Sequence, residues 1–183
     1  AAGGWRREDV TACAKTGLCG LTPDECDAFE IYTEKWRIRS KKLFCLEEGW
    51  SMNPDGYTDV LTARGARCLQ LANSAREKLC PPLEAFCQTF SGASTVENVC
   101  RAAVKLLCDY GVYESLREEE KRLYDSGMGA QAQNTSGVWN ALCTVLDTIY
   151  EICRDQKTDA ARFGALIRRT ADSVTVGSIP DGV

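Results

Sequence analysis

Eleven cysteines and no histidine bound the chemistry open to this 183-residue chain. The cysteines stand at positions 13, 19, 26, 45, 68, 80, 87, 100, 108, 143 and 153, and no two form a C-x-x-C pair. Zinc sites bring thiolates together at close spacing, whereas this dispersed pattern reads as a disulfide framework, which belongs to an oxidising compartment. Without histidine the chain lacks the commonest general base and the commonest neutral metal ligand. No catalytic, cofactor-binding or metal-binding residue is assigned on these grounds. A secreted or extracellular binding protein is expected, not an enzyme.

Other residue types offer weaker chemistry. Lys35, Arg37, Arg39, Lys41 and Lys42 concentrate five positive charges around Trp36 and Ile38 in a chain of net charge -4. Such a patch suits heparan sulfate or the acidic surface of a partner, set against the plainer reading of a solvated helix flank. The overall acidity predicts no general attraction to nucleic acid. Asn53, Asp55 and Asp59 near Gly56 suggest half a calcium loop, but position 64 is arginine where the closing glutamate belongs, and a turn is expected instead. Asn134-Thr135-Ser136 is a glycosylation sequon. Trp5, Trp50 and Tyr57 flank turns and are candidates either for exposed aromatics that anchor a partner or for ordinary packing at the edge of the core.

The apolar spacing that must position these groups is helical nearly throughout. Thr22-Pro23-Asp24 opens a long helix through Cys26, Phe29, Trp36 and Leu43 to near Gly49. Asn53-Pro54-Asp55-Gly56 is a turn, followed by a helix over Leu61 to Leu79 that Pro81-Pro82 should stop. A short helix follows over Leu83 to Phe90, and Ser94 with Glu97 reads as the capping box of another, with Val96, Val99, Cys100, Ala103, Leu107 and Tyr110 on its stripe. Residues 113 to 124 form a charged helix in which Glu118 and Arg122 can pair. Small and polar residues from Asp125 to Gly137 predict a loop, and two further helices carry Val138 to Cys153 and Phe163 to Val174. No run alternates as a strand does, and no apolar run reaches the roughly 20 residues a membrane span needs.

The expected fold is therefore all-α, a single disulfide-stapled domain of about six or seven helices over residues 1–175, with residues 176–183 as a flexible tail. Cys100 and Cys108 in one helix would stand about 12 Å apart, and Cys143 and Cys153 about 15 Å, so any bridges must join different elements. Eleven is odd, which leaves at least one thiol free or joined to another chain.

From Cys45 to Cys143 the chain resembles the stanniocalcins, secreted disulfide-rich glycoprotein hormones. The resemblance lies in the order and intervals of Cys45, Cys68, Cys87, Cys100, Cys108 and Cys143, in Cys87-Gln88-Thr89-Phe90, and in Asp55-Gly56 ahead of the helix holding Cys68. It implies bridges Cys68 to Cys100 and Cys108 to Cys143, then Cys26 to Cys87 and Cys19 to Cys45, with Cys153 as the intermolecular cysteine of a homodimer. It further implies a hormone-like regulator of calcium and phosphate, or an inhibitor of a metalloprotease, with a receptor or protease as protein partner. Cys80 has no counterpart in that family, and the sequon lies elsewhere. The alternative is a ligand-binding ectodomain of a cell-surface or shed receptor.

Overall fold

The computed structural model describes residues 4–92 and 94–174 of the chain. Helix accounts for 68% of the structure, in eight segments, with two strands of two residues each among the described residues. The helical expectation holds, but the staples do not: all eleven cysteines are free. The expected flexible tail at 176–183 lies outside the described residues. The described backbone forms two compact units that meet in sequence at Gln88 and Thr89.

The first unit holds α1 (Arg7–Ala14), α2 (Pro23–Lys35), α3 (Lys41–Phe44) and α4 (Ala63–Gln88). Helix α2 starts at Thr22, whose hydroxyl accepts from the Glu25 backbone N–H while the Glu25 carboxylate accepts from the Thr22 N–H, a reciprocal capping box with Pro23 at the first helical position. It does not run on to Gly49. It stops at Trp36, and Arg37 takes a left-handed backbone with φ 51°. Helix α4, by contrast, runs through Pro81 and Pro82 to Gln88, absorbing the separate helix expected after them. The prolines remove two backbone donors and ordinarily break a helix. Here Leu79 and Cys80 before them and Leu83 after them are all buried, so packing holds both halves in line.

The core beneath is aromatic. Tyr32 and Trp50 stack at 4.8 Å between ring centroids, Phe29 lies 5.5 Å from Trp50 and 6.0 Å from Phe44, and Trp5 lies 5.8 Å from Phe44. Trp50 donates its indole N–H to the Leu43 carbonyl at 2.8 Å, and its backbone exchanges two hydrogen bonds with the Asn73 side chain. A rigid indole fixed at both its polar and apolar ends registers the segment after α3 against α4. Of the two readings open for Trp5 and Trp50, packing in the core holds, since each is 4% exposed.

The second unit holds β1 (Ser94–Thr95), α5 (Val96–Asp109), α6 (Val112–Asp125), α7 (Gly129–Cys153), β2 (Lys157–Thr158) and α8 (Ala160–Ala171). Thr95, not Ser94, caps α5 by accepting from the Asn98 N–H, while the Ser94 hydroxyl donates to the Thr89 carbonyl. Gly111, at φ +65°, lets the chain turn from α5 directly into α6. The loop expected over 125–137 shrinks to a turn, and α7 begins at Gly129, so the sequon at Asn134 sits exposed on a helix. Along α6, Arg122 pairs with Glu119 one turn back, not with Glu118. Val96, Val99, Val145, Leu146, Ile149 and Phe163 form the buried centre of this unit.

Candidate nucleic-acid interface

The five clustered cations fall at the break between α2 and α3, and the geometry of that break explains their display. The Ile38 N–H donates to the Thr33 carbonyl at 2.9 Å and the Arg37 N–H to the Glu34 carbonyl at 3.2 Å, with Arg37 left-handed between them. This is a Schellman ending, in which Ile38 turns back to bury its side chain. With Ile38 fixed inward, its neighbours Arg37 and Arg39 are thrown outward, and both are exposed along with Lys35, Lys41 and Lys42.

Two of the five are already engaged. Lys35 donates to the Pro54 carbonyl at 2.5 Å, and Lys41 pairs with Glu84 at 2.8 Å, holding that carboxyl below its usual range. Among the described residues Arg37, Arg39 and Lys42 make no ion pair, although Arg39 lies near enough to Glu8 to act on it through space. Three cations therefore face solvent around one turn.

An aromatic pair is built on Trp36, the residue that caps α2 just before Arg37. Tyr57 is 99% exposed and meets the Trp36 ring edge to face at 5.2 Å. The loop carrying it is pinned: Asn53 donates to the Thr58 and Val60 carbonyls at 2.8 and 3.0 Å, and the Asp55 carboxylate accepts from the Thr62 N–H and hydroxyl at 2.9 and 2.8 Å. Those bonds hold the Asp55 carboxyl below its ordinary range and use the groups that suggested a calcium loop to shape a turn instead. An exposed ring packed on Trp36, the residue before Arg37, offers a face on which a base can stack, and unpaired cations offer contacts to phosphates.

The remaining sequence candidates are scattered. Cys68, Cys26, Cys87, Cys19 and Cys45 lie in the first unit, and Cys100, Cys108, Cys143 and Cys153 in the second. Their sulfurs turn to local partners: Cys26 to the Ala14 carbonyl at 3.4 Å, Cys100 to that of Leu146 at 3.9 Å, and Cys19 to that of Cys13 at 3.3 Å. The Cys13 and Cys19 sulfurs lie 3.7 Å apart, well beyond the roughly 2.05 Å of a disulfide. Their contact brings the Cys19 thiol down to about 7 and pushes that of Cys13 up. The buried Cys80 and Cys100 fill space as small apolar groups, and none of the four expected bridges exists. Cys153 ends α7, half-buried.

No family model matches the chain. Over nearly its whole length, however, it aligns with one named kind of bacterial protein. The chain is similar to the B component of an ATP-dependent helicase/deoxyribonuclease. It is 26% identical to that protein of Clostridium acetobutylicum over 189 residues, covering 96% of this chain and 16% of the relative. The Clostridium novyi protein is 25% identical over 176 residues, covering 96% and 14%, and the Bacillus subtilis protein 24% over 198 residues, covering 97% and 16%. The chain thus spans only about a sixth of the curated relatives it matches.

These relatives overturn the functional expectations. They are named as components of a bacterial helicase/deoxyribonuclease, so the stanniocalcin resemblance, the secreted glycoprotein hormone, the homodimer and the receptor ectodomain all give way. The same names stand against the expected non-enzymatic role and against the receptor, protease and heparan sulfate partners. The physical cause of the error is plain: cysteine intervals carried the resemblance, and the cysteines are not paired.

Proposed function

We propose that this chain is a helical, DNA-contacting part of a protein like the helicase/deoxyribonuclease components it resembles, and that it works within an ATP-dependent DNA-processing enzyme. The observation that carries the reading is the extent of the similarity, which runs over 96–97% of the chain in each of the three relatives. The chain's own contribution is strand contact. Arg37, Arg39 and Lys42 supply phosphate contacts, and Tyr57, backed by Trp36, supplies a stacking face.

The net charge of -4 makes long-range attraction to DNA weak, so binding must come from short-range contacts at this turn. A labelled oligothymidylate followed by fluorescence anisotropy between about 50 and 200 mM salt tests this directly. The combined variant Arg37→Ala, Arg39→Ala, Lys42→Ala should weaken binding by at least roughly tenfold and flatten the log–log salt slope by about 2, near 0.7 for each lost single-strand phosphate contact. Unchanged affinity and slope in a folded variant would remove the proposal.

A further inference from the structure

We propose a phosphate-binding cleft in the second unit, between α8 and the β1–β2 ribbon, that takes the phosphate ester of a nucleic-acid strand or of a free nucleotide. The cleft encloses about 290 Å³, and its wall includes Lys157, Arg162, Arg169, Thr158, Val96 and Leu166, with no carboxylate in it. Its position follows from the sequence. Arg162 and Arg169 are two turns of α8 apart, so they project from one face about 10.5 Å apart along the axis with Leu166 between them. Lys157 comes from β2, which pairing with β1 fixes opposite Thr95. Val96, 1% exposed, forms the apolar floor.

The charge arrangement here departs from the rest of the unit. On the other helices of the unit, most cations are neutralised by their own acids, Arg101 by Glu97, Lys105 by Asp109, Arg117 by Glu120 and Arg122 by Glu119, with Lys121 the exception among the described residues. In the cleft, Lys157 and Arg169 have no ion pair among the described residues. Arg162 alone has one, to Asp159 at 3.6 Å through its Nε, and that carboxylate also caps α8 by accepting from the Arg162 N–H at 2.9 Å. Arg162 nonetheless lines the cleft, with its side chain 76% exposed. Three cations from two elements, lining one cleft whose wall holds no carboxylate, supply the guanidinium and ammonium donors that bind phosphate oxygens.

This site belongs to a different unit from the turn on which the proposed function rests, so the two can fail separately. The test is a backbone-amide NMR titration of the full chain with inorganic phosphate in one arm and oligothymidylate in the other. Either ligand should shift the amides of residues 156–158 and 162–169, and Arg162→Gln with Arg169→Gln should abolish those shifts and weaken the bound probe about tenfold. The variant carrying alanine at 37, 39 and 42 should keep them. Shifts with both probes identify the phosphate group itself as the ligand, and shifts with the oligonucleotide alone identify a strand. Both substitutions fall on exposed side chains, and Lys157→Gln gives a milder variant on a different element. The proposal is overturned if neither probe moves these amides, or if the shifts persist in the double variant.

Discussion

Glu25 shows how one residue can serve structure so fully that it carries no free chemistry. It is 4% exposed, and its carboxylate accepts from Lys78 at 2.7 and 2.9 Å, from the Ser74 hydroxyl at 2.7 Å and from the Thr22 N–H at 2.9 Å. Burial pushes its pKa up, but these donors more than offset that and bring it down to about 2. A carboxyl depressed from 4.5 contributes stability that is complete above about pH 4.5 and is lost as the pH falls toward 2. Urea unfolding of the native chain should therefore lose roughly 3 kcal/mol across that window from this group. Glu25→Gln should start less stable at pH 7 and show a shallower decline.

Arg37 is the opposite case. A non-glycine residue in the left-handed region costs about 1 kcal/mol, and the helix ending would accept glycine without that cost. Arg37→Gly is expected to raise stability by about 1 kcal/mol in urea melts while weakening oligonucleotide binding several-fold. That split would mark a side chain kept for contact at the expense of fold. The cation cluster was legible in the sequence because charge is legible; which three of the five stay unpaired was not, since Pro54 and Glu84 reach Lys35 and Lys41 only in the folded chain.

At the level of elements, periodicity located most helices, and its errors fall where packing overrides local signals. The break after Trp36 has no glycine or proline to announce it and exists because Ile38 must be buried. Pro81-Pro82 announce a break that does not occur, because Leu79 and Leu83 anchor α4 on both sides. The small residues of 129–137 suggested a loop, yet Ala132 is buried at the start of α7. Cysteine misled for a related reason: Cys80 and Cys100 lie on buried helix stripes where valine or alanine would serve as well, and a count cannot separate a staple from a filler. The aromatic cluster makes the element-scale claim testable. Trp50→Ala should cost about 3–5 kcal/mol, seen as a large fall in the melting temperature, while Trp50→Phe should keep the stack and lose only about 1 kcal/mol with the bond to Leu43.

For the molecule as a whole, two helical units each bury their own core, and each displays a set of cations that its own acids leave unneutralised. An acidic chain with such local positive sites is suited to holding a strand where it is delivered, within a larger protein, better than to gathering DNA from solution. That view agrees with a chain that spans 14–16% of the helicase/deoxyribonuclease components it resembles. The most direct test is ultraviolet cross-linking of the chain to a bromodeoxyuridine-substituted single strand, followed by peptide mapping. Adducts should fall on Trp36 or Tyr57, diminish as salt rises, and disappear when Arg37, Arg39 and Lys42 are replaced by alanine. Adducts confined to the acidic helix α6, or no adducts at all, would contradict the account.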